Sequence, residues 1–259
     1  MQAKNIDEVI SHLEAIIQQT LKDENPMGYF AALYYRVTVN IKEGIANNYY
    51  LDGKRMEKLD VIFANRYLDA YTQFLQNQPC TESWKYAFNN TKKYWPTVLQ
   101  NLLLGINAHI NLDLGIAAVQ TCPGEGIDLL KEDFDKINNV LAGLVADVEK
   151  SLVIIWPTLK LLLLRFKKTD SFLIDFSMKE ARDGAWKFAK ELAVLDSQQQ
   201  DETIKQRDKK IAEIALLVSK PGFFVSLLFL VIRIGELGSV AKKIEALRKN
   251  KTLSPNHIS

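Results

Sequence analysis

From Thr97 to Gln120 the chain runs for 24 residues without a lysine or arginine, and His109 and Asp113 are its only ionisable side chains. A helix at a protein surface carries a charged face, whereas one that is apolar around most of its circumference has to be enclosed by others. Neighbouring helices are therefore expected to wrap around residues 97–120, and the polar groups of this rod are expected to be buried. Burying an unpaired polar group costs roughly 1–3 kcal/mol, and more for a charge. Asn107, His109, Asn111 and Asp113 each need an answering group. These four also alternate with Ala108, Ile110, Leu112 and Leu114, which is the period of a strand. No second run supplies a partner strand, and Leu102–Leu104 and Gly115–Val119 continue a helix, so the helical reading is preferred. At about 100° per residue, His109 and Asp113 share one side of it, and Asn107 and Asn111 pair about 160° away, placed to tie a neighbouring helix.

The rest of the chain repeats the helical period. Apolar residues recur at three- and four-residue intervals from Ile6 to Leu21, ending at Asn25-Pro26. Further helices are predicted at about 27–46, from Met56 to Phe74, at 81–93, and from Ile127 to Phe166 with a break at Pro157. Pro96 is placed in the first turn of the central helix. A helix starting near Phe172, capped by Asp170 or Ser171, runs through Trp186 to about Leu195. Ser197–Glu202 is the best linker candidate, followed by helical stretches at 203–219, from Pro221 and at 240–247. Without a repeat or a shift in composition, the prediction is a single all-α, bundle-like domain over residues 1–250 with a flexible tail at 251–259.

At 259 residues the chain is long enough to bury a substantial core without disulfides. Its 33 Lys and Arg against 31 Asp and Glu give no electrostatic reason to expect nucleic acid. Cys80 and Cys122 lack the spacing of a zinc site or a redox pair. Lys4, Asp7 and Glu8 interrupt the first ten residues, so a secretory signal is not expected and a cytoplasmic location is. The apolar runs Leu152–Leu164 and Phe223–Ile232 fall short of the about twenty residues of a spanning helix. Phe223, Phe224 and Phe229 leave room for a peripheral membrane contact.

A histidine and a carboxylate one turn apart form a useful chemical unit, because the carboxylate fixes the imidazole tautomer or the two ligate one metal. The same pair is a common structural contact. A histidine-rich metal site is excluded, since His12 and His257 lie near the termini; a mixed site with Asp60, Asp69 or Glu43 is permitted but not indicated, leaving metal and cofactor unknown. Asn65 and Asp69 form a second i,i+4 pair with Arg66 beside them, and Arg182 and Trp186 are spaced for a guanidinium to lie over an indole. There is no Gly-x-Ser-x-Gly elbow, phosphate-cradling glycine loop, His-Glu-x-x-His or dinucleotide fingerprint.

The stretches Arg55–Ala70, Leu102–Leu114 and Ala181–Trp186 resemble the bacterial domain of unknown function family 5995, with signatures in an order that spans about Tyr29 to Leu195. The resemblance implies an all-helical cytosolic protein and brings no activity with it. It suggests that Asp60, Asn65, Arg66, His109, Asp113, Arg182 and Trp186 converge on one site.

Two functional expectations follow. In the first, a hydrolytic or acid–base enzyme uses His109 as general base or ligand, Asp113 as its orienter or co-ligand, and Asp60 as a further carboxylate. Asn65, Arg66, Asn107, Asn111, Arg182 and Trp186 are then the candidate substrate contacts, with Arg66 or Arg182 holding an anionic group. In the second, a noncatalytic helical module binds a small apolar ligand or a partner protein, and Tyr29, Tyr34 and Tyr35 line its cavity. The polar ladder then only fixes helix register.

Overall fold

The computed structural model describes residues 1–157 and 178–249. Eleven α-helices and no strand are found among the described residues. In chain order they are α1 (Ile6–Lys22), α2 (Gly28–Ala46), α3 (Gly53–Leu75), α4 (Glu82–Thr91), α5 (Val98–Ala108), α6 (Leu114–Thr121), α7 (Lys131–Ile155), α8 (Met178–Ala193), α9 (Ser197–Ser219), α10 (Phe223–Gly235) and α11 (Val240–Arg248). One π-helical turn, His109–Asp113, joins α5 to α6 without a break, and a 3-10 segment, Gly124–Leu130, leads into α7.

Polar side chains start these helices where the sequence provides them. Asn5 accepts from the Glu8 amide at α1, and Asp52 accepts from the Arg55 amide at α3. Thr97 and Gln100 form a reciprocal capping box that starts α5, so Pro96 lies just ahead of the cap rather than in the first turn. Asp196 and Gln199 form another, so Ser197–Glu202 is not a linker but the first turns of α9. The predicted cap at Asp170 or Ser171 and the tail at 251–259 lie outside the described residues.

Three carboxylates cap helices from a distance. Asp208 on α9 accepts from the Glu82 and Ser83 amides at the start of α4 (2.7 and 3.0 Å). Glu236 accepts from the Val98 amide at the start of α5 (2.7 Å) and pairs with Lys243. Asp133 on α7 accepts from the Leu51 and Asp52 amides just before α3. Asp208 and Glu236 place negative charge where a helix exposes unpaired amides, and Asp133 ties down the chain that enters α3.

The continuous rod α5–π–α6 is the axis of the molecule, flanked by α2, α3, α4, α8 and α9. By length and composition Val98–Thr121 would be able to cross a membrane, but 89% of its most apolar window is buried within the protein, as in the core helix of a soluble body. Gly115 lets α8 approach closely, since a Cβ there would lie 2.7 Å from the Phe188 ring and 2.9 Å from the Ala185 carbonyl. The apolar core is one cluster running from Ala3 to Leu247.

Candidate functional site

The π turn sits where the rod of residues 97–120 carries its only two ionisable groups, His109 and Asp113. The Leu114 amide donates to the His109 carbonyl, one residue further back than an α-helix allows. Arg207 on α9 donates from Nε to the Asn111 carbonyl inside this turn (3.1 Å) and lays its guanidinium over Phe188 (5.1 Å). His109 and Asp113 point toward α3 and α4, while Asn107 and Asn111 face α9. Asn111 donates to Asn107 (2.9 Å), which donates in turn to the Ile211 carbonyl (3.0 Å), so the second pair ties a neighbouring helix.

Asp113 is fully buried and both of its oxygens are answered. Oδ1 accepts from Arg66 Nε (2.7 Å), and Oδ2 accepts from Trp84 Nε1 (2.7 Å) and faces His109 Nδ1 (3.2 Å). Burial alone would push this carboxyl up, but the Arg66 charge and the His109 contact outweigh it and hold the group below its ordinary value. An ionised carboxylate only accepts, so Nδ1 of His109 carries the hydrogen and Nε2 is left with the lone pair. Burial lowers the imidazole more than Asp113 raises it, and the ring is neutral.

Aromatic side chains enclose that ring. Phe63 stacks on it with centroids 3.6 Å apart and planes within 6°, and Tyr34 meets it edge-on at 4.5 Å. Phe30 (5.7 Å), Trp84 (5.8 Å) and Tyr67 (6.3 Å) complete the wall. Phe30 reaches this position because residue 105 is glycine; a Cβ there would lie 2.4 Å from its ring. Inside the wall, Nε2 of His109 and the hydroxyls of Tyr34 and Tyr67 are buried with no hydrogen-bond partner among the described residues. Both oxygens of Asp60, one turn before Phe63 on α3, are in the same state. Burial, with the Glu57 charge adding to it, pushes the Asp60 carboxyl up to about 8. Burial, then the charges of Asp60 and Asp113, raise the Tyr34 hydroxyl well above its usual range.

The expected site residues divide into separate groups. Arg66, His109 and Asp113 come together, and the guanidinium of Arg66 is committed to Asp113. Asp60 sits beside this set through Phe63 and Tyr34. Asn65 is spent on the N-terminal residues, pairing with both the amide and the carbonyl of Ala3 (2.7 and 2.9 Å), and Asp69 accepts from Gln2. Arg182 is buried, with Nε and Nη1 unpartnered among the described residues, and burial lowers it to about 10. Trp186 packs on Phe134 (5.0 Å), and the cation over its ring is Lys131 (5.5 Å) rather than Arg182. Of the three tyrosines expected around a ligand, only Tyr34 reaches the imidazole; Tyr35 lies under Arg248, and Tyr29 is buried near Glu236 and Arg233. Among the described residues no three His, Cys, Asp or Glu side chains are gathered as a metal ion would require.

Sequence reasoning missed Trp84, Phe63 and Tyr67. A signal for Trp84 existed, because an indole on the apolar side of a short helix needs an acceptor when buried. For Phe63 and Tyr67 the signal was their spacing from Asp60, three and seven residues on, which puts all three on one face of α3.

Neither the curated proteins nor the solved structures offer a match to this chain. The model of a family of unknown function, domain of unknown function 5995, matches residues 6–221, which takes in every residue of the aromatic shell around His109, and the chain belongs to that family.

Proposed function

We propose that the protein is an acid–base enzyme in which Nε2 of His109 takes a proton from a small polar substrate or from the water that attacks it. The observation that carries this reading is the set of five buried polar atoms without partners among the described residues: Nε2 of His109, the hydroxyls of Tyr34 and Tyr67, and both oxygens of Asp60. At roughly 1–3 kcal/mol each they cost as much as the whole net stability of an ordinary domain. A His–Asp pair serving packing alone needs none of them. In this reading Asp113 holds the tautomer and Arg66 balances its charge, so the imidazole is a free base at neutral pH. Asp60, with its carboxyl raised to about 8, is a proton donor at that pH, and Tyr34 and Tyr67 donate hydrogen bonds to substrate oxygens.

A second reading keeps the aromatic shell and drops the reaction: a noncatalytic module that encloses a small ligand. The complete aromatic wall favours it, since Phe30, Phe63 and Trp84 offer faces that suit an apolar group.

Turnover of a panel of small esters, amides, phosphoesters and hydroxy or keto acids, followed by NMR, separates the two. The enzyme reading expects turnover that falls by about 100-fold or more in His109→Gln, with helical content retained, and an acid limb below about pH 6.5. Ligands that raise the melting temperature of parent and variant alike without turnover favour the module. An absence of both turnover and stabilising ligands removes both readings.

A further inference from the structure

α10 is unlike every other described helix. It is apolar around most of its circumference, seats Ile232, Leu228 and Phe229 against the core, and turns outward a face made of Phe223, Phe224, Leu227, Leu230, Val231 and Ile234. Phe223 and Phe224 are 77% and 83% exposed. The polar residue on this face, Ser226, donates its hydroxyl to the Pro221 carbonyl, so the face offers no free side-chain hydrogen-bond donor. Protein interfaces carry about one hydrogen bond per 100–200 Å²; a hydrocarbon boundary needs none.

The surroundings of the face also point to lipid. Tyr94 and Trp95, 74% and 62% exposed, lie at its C-terminal end, where Arg233 donates to the Tyr94 carbonyl and lies over its ring. Amphipathic rings beside a basic group are the signature of a membrane–water boundary. Charge is distributed to match: residues 197–249 carry ten Lys and Arg against six Asp and Glu, while the rest of the chain carries 23 against 25. Two copies meeting through this face would bring like charges together, whereas an anionic bilayer would attract them. At 13 residues α10 is about 20 Å long, too short for a hydrocarbon core of about 30 Å. Its C-terminal end is also anchored by Glu236 to the start of α5.

We infer that α10 docks this protein on the surface of an anionic lipid bilayer, lying in the plane of the interface with its phenylalanines in the acyl boundary. This inference is independent of the chemistry at His109 and lies beyond the residues matched by the family, which end at 221.

Co-sedimentation of the full chain with phosphatidylcholine vesicles, with and without phosphatidylserine, tests it. The parent is expected to pellet with the mixed vesicles, less so at high salt, and to shift Trp95 emission to the blue. The double variant Phe223→Ser, Phe224→Ser changes only exposed side chains and should bind at least about tenfold more weakly, with an unchanged melting temperature. The variant Lys220→Glu should weaken binding to mixed vesicles by severalfold. A parent that stays in the supernatant with both kinds of vesicle overturns the inference. So does a parent dimer by analytical ultracentrifugation that the double variant dissolves, when vesicle binding is absent.

Discussion

Asp113 and Asp60 are both buried carboxylates in the middle of a helix, and they have opposite fates. Asp113 is met by a guanidinium, an indole N–H and an imidazole, and it is held ionised below its ordinary value. Asp60 is met by no hydrogen-bond donor among the described residues, and burial raises its carboxyl to about 8. Burial is the largest influence on both, so depth alone does not decide the charge of an acid in this core. The donors brought by neighbouring helices decide it.

Removing the donors should make the first acid behave like the second. Arg66→Met leaves Asp113 as a buried charge without its counter-ion, and a loss of about 3–5 kcal/mol is expected by chemical denaturation at neutral pH. In the parent, Asp113 contributes stability above the unfolded value near 4 that is lost as the pH falls. In Arg66→Met that dependence should reverse, so the variant recovers stability on acidification; a constant deficit from pH 4 to 8 would break the comparison.

Asp60 predicts the opposite sign. Its folded-state pKa lies above the unfolded one, so its contribution is fully present below about pH 4 and lost as the pH rises toward about 8. Asp60→Asn, neutral at every pH, should exceed the parent in stability by on the order of a few kcal/mol at pH 9. The two should converge near pH 4 in thermal melts. Equal stability across that range would mean that Asp60 is not protonated in the native state.

Two smaller effects sharpen the contrast. Trp84→Phe removes one donor from Asp113 and keeps most of the ring, so a loss of about 1.5–3 kcal/mol is expected in urea titration. Gly105→Ala puts a methyl into the Phe30 ring and should cost about 1–3 kcal/mol. Phe30→Leu in the same chain should recover part of that cost, which a double-mutant cycle measures.

How much of this was legible in the sequence follows from the range of each interaction. The central rod was legible because a run of 24 residues without Lys or Arg excludes a surface position whatever its partners. The His109–Asp113 pair and the Asn107–Asn111 tie were legible because both are spaced by one helical turn. The aromatic shell was not, since Phe63 and Trp84 come from other helices and nothing local marks where they point. The long-range caps were equally hidden: Asp208 sits 126 residues from Glu82, and Glu236 sits 138 residues from Val98. The start of α9 is different, because Asp196 and Gln199 are local and spell a capping box that the polar composition of 197–202 obscured.

The five-residue turn at His109–Asp113 carries one amino acid more than a uniform helix would use. Everything after it is thereby rotated by about 100° relative to an unbroken α-helix of the same sequence. Deleting that residue would let a uniform helix run from α5 into α6 with Gly115 still against Phe188; what it would remove is the wide turn in which the Asn111 carbonyl meets Arg207. The extra amino acid therefore belongs to the local contacts of the turn and not to the packing of the rod beyond it.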